Sequence, residues 1–198
     1  MKFGDLDKLA AALRQRNDKD LQRGEVWQAI LNLGYSQWRG NEGWTYDDMA
    51  RWVSSEYGEF AALCILLGKY NYQVNNGGHA QYHDNCFTGN VKRGPFGGNE
   101  SCETPLHDMM VRLFYGFGFH ESELGAKMYG VLCDFTVDED DFDDDIFGHP
   151  VVLDANALDN RYYEFCEEWV KFFEKVIADA IHSVPTSHSQ GPTSAVSH

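Results

Sequence analysis

The residues best equipped for chemistry lie close together. The stretch "HAQYHDNC" (79–86) sets His79 and His83 four apart, with Asp84 and Cys86 just behind. Residues four apart on a helix share a face, and imidazole with thiolate suits zinc. The same residues offer Cys86 as a nucleophile with His83 as its base. Neither arrangement is complete. No second ligand cluster follows, His107, His120 and His149 stand alone, and no third group is evident to orient the pair. Surface or half-buried histidines are the plainer account, so the expectation is no metal, no cofactor and no catalytic residue.

Two other stretches invite a chemical reading and fail its geometry. "GPFGG" (94–98) follows Lys92 and Arg93, but it lacks the Gly-x-x-x-x-Gly-Lys-Ser/Thr spacing that cradles phosphate. A calcium loop begun at Asp141 has acids at its first, third and fifth positions (Asp141, Asp143, Asp145). It then places Ile146 where glycine is needed and Val152 where the closing glutamate is needed.

Charge is more informative than any of these motifs. The chain of 198 residues has 16 Lys and Arg against 31 Asp and Glu, a net charge of −15. Such a protein is repelled by nucleic acid and by anionic membrane. The imbalance is local: residues 1–127 hold 16 acids and 13 bases, whereas 128–198 hold 15 acids and 3 bases. No base lies between Lys127 and Arg161, and "DFTVDEDDFDDD" (134–145) alone has eight acids. Blocks of like charge are solvated linkers or interaction segments. Carboxylates three or four apart on a helix sit about 5–6 Å apart, and duplex DNA carries one charge per about 3.4 Å of axis on each strand. An acidic array of that density offers a basic groove a field like that of DNA. Whether 134–150 is a helix, an ordered loop or a linker stays open at this point.

The elements that position these residues read as helices. Leu6, Leu9, Ala10 and Leu13 share one face, as do Val26, Trp27, Ile30 and Leu33, with Gly34 as the expected stop. "TYDD" (45–48) fits a capping box opening one long helix through Trp52, Val53, Tyr57, Phe60, Cys64 and Leu67. Thr104 and Pro105 start another, and Leu124, Met128, Val131, Leu132 and Phe135 line a further one. The clearest stripe runs through Leu158, Tyr162, Phe165, Trp169, Phe172, Phe173 and Val176. Nothing alternates convincingly with period two, so the fold class expected is all-α. One helical domain spans 1–182, with 90–101 as a loop and 183–198, rich in Ser, Thr, Pro, Gly and His, as a disordered tail.

Apolar residues make up 43 % and aromatics 14 %, enough to fill a core. No run of about 18 apolar residues exists to span a bilayer, and "MKFGDLDKLA" has acids where a signal peptide needs apolar residues. A cytoplasmic protein is expected. The five cysteines (64, 86, 102, 133, 166) show no Cys-x-x-Cys spacing, which suggests reduced, mostly buried thiols.

"YNYQVNNGGHAQYHDN" (70–85) then reads as architecture. Asn and Gly tolerate left-handed backbone at low cost, so "NNGG" ends one helix and turns the chain tightly into a short second one. Gln81 and Asn85 would bond backbone groups left over at the corner. The stretch also resembles the N-G-G-F-x-Q-[YF]-x-x-N signature of a bacterial family named for an acidic DNA-mimic protein, most of whose members have no known function. Val74, Asn75, Asn76, Gly77, Gly78, Gln81, Tyr82 and Asn85 match. Gln73 stands where an acid is usual, and His79 where Phe is usual. "LDNRYYEF" (158–165) is similar to the family's second, looser signature, so the resemblance covers roughly 45–182. It implies an all-helical fold, no catalytic residues and a homodimer that blocks DNA-binding proteins.

The expected function follows from charge and resemblance together. The chain is an acidic, non-catalytic inhibitor that binds a DNA-binding protein or nuclease through Asp138, Glu139, Asp140, Asp141, Asp143, Asp144 and Asp145, helped by Glu164, Glu167 and Glu168. The alternative is an immunity- or antitoxin-like protein with one toxin or nuclease as its target. An enzyme or metal protein built on His79, His83 and Cys86 is the third possibility.

Overall fold

The first apolar stripe does what its spacing demands: Leu9, Ala10 and Leu13 are fully buried on α1 (Asp7–Arg16). The computed structural model describes residues 3–4, 6–16, 19–41, 46–86, 105–135, 137–142, 150–152 and 154–185, with the backbone alone at 46–47, 84–86, 105, 137–142 and 150–152. After α1 come α2 (Lys19–Gln22), α3 (Val26–Gly40), α4 (Tyr46–Tyr57), α5 (Glu59–Cys86), α6 (Pro105–Gly116), a 3-10 turn (Phe119–Glu121) and α7 (Glu123–Cys133). A short antiparallel ribbon pairs β1 (Val137–Phe142) with β2 (Pro150–Val152), and α8 (Ala155–Tyr163) and α9 (Cys166–His182) follow. The body is all-α. The ribbon is the one strand pair among the described residues, and the register slips between Asp138 and Phe142.

The first arm of α5 is the hub. Every residue from Phe60 to Leu67 is buried, so this helix is apolar all round, as a helix enclosed on every side must be. α3, α4, α6 and α8 pack against it. Two glycines let α3 come close. A side chain at Gly34 would sit 2.8 Å from Ile65, and one at Gly68 would meet Leu31 at 2.5 Å. Trp27 of α3 completes the contact by donating its indole N–H to the Cys64 carbonyl at 2.8 Å. On the far side α9 lays Trp169 and Phe173 against Phe114 and Phe119, with ring centroids 5.1–6.3 Å apart. Each such buried aromatic contributes about 1.5–3 kcal/mol.

Three expected boundaries move, each for a local reason. Gly34 does not stop α3; it is the point of close approach to α5, and the helix runs on to Gly40. The long helix expected from residue 45 is two, because Gly58 adopts φ +88° between α4 and α5, a conformation that only glycine reaches cheaply. The last stripe is also two helices, broken at Phe165 (φ −138°, ψ 0°), which is itself buried. Thr45 and Thr104, the expected caps, lie outside the described residues, as do the 90–101 loop and residues 186–198. Ser183 to Pro185 are tied to the body: the Val184 carbonyl accepts from Arg14 Nη2 at 2.7 Å. Of the described cysteines only Cys64 is buried; Cys133 is exposed and Cys166 half-buried. Among the described residues no helix is long and apolar enough to cross a membrane.

Candidate functional site

The "NNGG" corner is a sharp break inside α5. Gly77 is extended (φ −166°), and Gly78 takes φ +75° with ψ −172°, a region open to glycine alone. Twelve residues of straight helix would advance about 18 Å, yet the Tyr70 and Tyr82 rings lie 4.8 Å apart. The chain therefore folds back, and the second helical arm packs on the first. Asn76 Nδ2 donates to the Tyr72 carbonyl at 2.6 Å, and Asn75 Nδ2 to Asn71 Oδ1 at 3.1 Å, holding the end of the first arm. Gln81 does not bond leftover backbone as expected. It donates to the Gln73 side chain at 2.9 Å and bridges the two arms. A Cβ at Gly77 would overlap Gln81, which accounts for glycine there. Asn85 continues the helix, and its side chain is outside the described set.

Immediately after the break, His79 is fully buried and bonded on both ring nitrogens. Nδ1 lies 2.6 Å from Asp159 Oδ1, and Nε2 lies 2.5 Å from Tyr70 Oη. The His79 backbone N–H also donates to Asp159 Oδ1, at 2.8 Å. A carboxylate only accepts, so Nδ1 has the proton and Nε2 accepts from the tyrosine hydroxyl. Burial pushes the His79 pKa down, against the Asp159 carboxylate, which pulls it up. Carboxylate, imidazole and hydroxyl in series form a proton-relay geometry. The hydroxyl is nevertheless the wrong kind. Tyr70 is completely buried, and burial raises its pKa well above the usual phenol value. The arrangement fastens the corner to α8.

The fastening is wider than one contact. Tyr162 donates to Asn71 Oδ1, and Tyr163 donates to the Val74 carbonyl at 2.5 Å. The stretches 70–85 and 158–165, read separately in the sequence, thus clasp each other. Next to them His107, which looked isolated, donates from Nε2 to the Leu132 carbonyl at 2.9 Å and accepts at Nδ1 from Tyr82 at 3.2 Å. Phe135 packs on both histidine rings, at 4.8 Å from His107 and 6.1 Å from His79. With both nitrogens occupied, His79 has no lone pair left for a metal it would share with His83 and Cys86. His83 is buried too, and the Cys86 side chain is not among those described. Among the described residues no group of three His, Cys, Asp or Glu could hold a metal ion. The sequence reading paired neither His79 with Asp159 nor His107 with Tyr82 and the Leu132 carbonyl; the signal was the histidines themselves, which on burial require polar partners.

The acidic residues divide into two sets. Asp138, Glu139, Asp140 and Asp141 lie on β1, where only the backbone is described, and Asp143, Asp144 and Asp145 fall outside the described residues. The ribbon replaces the acidic helical face considered above. Glu164, Glu167 and Glu168 are exposed at the α8–α9 junction. Glu167 and Glu168 occupy the first turn of α9, where negative charge stabilises the helix dipole, so local structure already explains part of their presence.

A groove absent from any sequence pattern lies between α3, α5 and α9, with a volume of about 1170 Å³. Each helix lines it at i, i+4 and i+8: Trp27, Leu31 and Tyr35; Gly68, Tyr72 and Asn76; Val170, Glu174 and Ala178. Eight residues of helix span about 12 Å, which sets its length. Tyr72 is 63 % exposed beside it, and Lys171 and Lys175 stand on the α9 wall. At one end Glu174 accepts the Trp27 N–H at 3.0 Å, capping α3 from another helix where Glu25 makes no side-chain cap. Burial raises the Glu174 pKa despite that bond.

No family model, no curated protein and no solved structure matches this chain.

Proposed function

We propose that this protein is a non-catalytic inhibitor that binds the basic surface of a DNA-binding protein by offering a carboxylate array in place of DNA. The observation that carries the proposal is the concentration of eight acids in 134–145, within a span from Lys127 to Arg161 that has no base between its ends. The extended backbone of β1 supports it. A strand advances about 3.3 Å per residue and its side chains alternate between two faces, so each face of β1 offers a carboxylate about every 6.6 Å, and only the two faces together reach the roughly 3.4 Å per charge of one DNA strand. Exposed Glu164, Glu167 and Glu168 extend the same sign of charge beyond the ribbon. The resemblance to the DNA-mimic family points the same way, including to a homodimer, and a cytoplasmic location fits such a target.

The test uses the tagged full chain to capture DNA-binding proteins, with a rising salt gradient and duplex DNA as competitor. Release at moderate salt and displacement by duplex are expected, because screening weakens such contacts as it weakens DNA binding itself. The variant Asp140→Asn, Asp141→Asn, Asp143→Asn, Asp144→Asn should lose binding and keep its helical circular dichroism. Unchanged affinity in that variant would sink the proposal.

A second reading, a specific inhibitor of one toxin or nuclease, is favoured by the α3–α5–α9 groove, whose apolar floor and charged rim suit a mixed interface. Retention of a single enzyme through high salt, lost in Tyr72→Ala but not in the four-Asn variant, would replace mimicry with this second reading.

A further inference from the structure

The groove between α3, α5 and α9 is bounded on all three helices by side chains four apart. Rows of that spacing are the ridges that pack into the grooves of a neighbouring helix. The walls are fixed from behind. Trp27 donates its indole N–H to the Cys64 carbonyl and meets Phe173 edge-on, with ring centroids 4.7 Å apart. Glu174 is held on the Trp27 backbone N–H. Asn75 donates to Asn71, which also accepts from Tyr162. A lining that is already ordered loses little side-chain freedom when it is covered. From it Tyr72 projects with 63 % of its surface exposed, more than Trp38, Tyr115 or Tyr163, and tyrosine is among the residues that most often anchor an interface.

Shape selects the class of occupant. The volume of about 1170 Å³ is above the roughly 300–1,000 Å³ usual for small-molecule sites. An extended peptide draws affinity from unpaired backbone groups at a sheet edge, whereas these walls are helices that bond their backbone internally. A helix needs only side chains here, and an apolar stripe at i, i+4 and i+7 matches the spacing of the walls. The groove's length of about 12 Å takes two turns.

Charge selects the flank. Lys171 and Lys175 form a second row on α9, again four apart, whereas the charged residue at the α3 side is Glu25. Lys175 meets Asp179 at 2.6 Å in an exposed pair, and such pairs are worth so little that a competing acid replaces them cheaply. Two carboxylates four apart on an incoming helix match the lysine row.

We infer that this groove receives an amphipathic helix of a partner protein, whose apolar stripe covers Leu31, Tyr72 and Val170 and whose flanking acids meet Lys171 and Lys175. The inference rests on the specific-inhibitor reading, to which it adds the chemistry of the partner, and it makes no use of the acidic run at 134–145.

The experiment selects binders to the purified full chain from two displayed peptide libraries, one randomised on the exposed face of a helical scaffold and one unstructured. Helical sequences with an apolar stripe and acids four apart along one flank should be enriched. The selected peptides should bind Tyr72→Ala at least about tenfold more weakly. They should lose as much on Lys171→Glu, Lys175→Glu and regain it when their acids are exchanged for lysines. The variant with four Asn in the acidic run should bind them as the parent does, so loss of mimicry leaves this result standing. Failure to enrich helical sequences, enrichment of extended ones alone, undiminished binding to Tyr72→Ala, or no rescue by charge exchange would overturn the inference. Should a variant not fold, chemical-shift changes in the unmodified protein decide. They must centre on Leu31, Tyr72, Val170 and Lys171, and a footprint elsewhere refutes the site.

Discussion

His79 and Asp159 are eighty residues apart in sequence and are joined twice: one carboxylate oxygen accepts both the backbone N–H of His79, at 2.8 Å, and its ring N–H, at 2.6 Å. That single oxygen locks the residue following the α5 break to α8. Removing it leaves two donors of a buried residue without an acceptor. Each such loss costs about 1–3 kcal/mol, so Asp159→Ala should lower stability by roughly 2–6 kcal/mol in urea denaturation. Asp159→Asn, which keeps one acceptor, should lose less. Equal costs for the two variants would mean that the contact is packing rather than hydrogen bonding.

Gly78 faces the same carboxylate. Its φ of +75° with ψ near 180° excludes a side chain, and a Cβ there would overlap Asp159. Gly78→Ala should therefore cost at least about 2 kcal/mol, from the backbone region and the clash together. Gly40→Ala provides the control. That residue is helical with open space around it, and the substitution should be neutral or stabilise by up to about 1 kcal/mol. Thermal midpoints of the two variants should move apart; a Gly78→Ala protein as stable as the Gly40→Ala protein would contradict the observed corner.

Glu174 holds the start of α3 from across the groove. Losing a helix cap costs about 0.5–2 kcal/mol, and Glu174→Ala should fall in that range, with Glu174→Gln between it and the parent. The pH dependence has a definite sign. Burial raises the carboxyl pKa in the fold, so the folded state binds its proton more readily than the unfolded one. Relative to Glu174→Gln, the parent should gain stability as the pH falls toward the ordinary carboxylate range and lose it as the pH rises through the raised value. Chemical denaturation of both proteins at pH 4.5 and 7 checks the direction.

His79 and His107 act in the opposite sense on the whole fold. Their pKa values are depressed by burial, so the unfolded chain takes up protons first as pH falls below about 6.5. Stability from these sites is complete above that value and declines below it, with a limiting slope of about 1.4 kcal/mol per pH unit for each group. Urea midpoints at pH 7.5, 6.5 and 5.5 should fall in that order. His107→Gln, which cannot titrate there, should show a shallower decline than the parent; the same slope in both would remove His107 from the account.

Helical periodicity was enough to place Leu9, Ile30, Phe60, Met128, Trp169 and Phe173 in the core, because burying one face of a helix constrains which positions are apolar regardless of what covers them. The "NNGG" corner was legible for a similar reason. Gly78 needs a backbone conformation that is a property of that residue alone. The net charge and its crowding between Lys127 and Arg161 are also sequence facts that no fold alters. What covers each face was decided only by tertiary structure. Gly34 was a plausible helix stop until Ile65 was found against it, and His79 a plausible ligand until Asp159 and Tyr70 took both its nitrogens. The α3–α5–α9 groove exists only where three helices meet imperfectly. Local pattern sets which backbone and which face a residue prefers. Hydrogen-bond partners eighty residues away, close helix approaches and cavities arise from how those faces are brought together, and a one-dimensional pattern does not encode that.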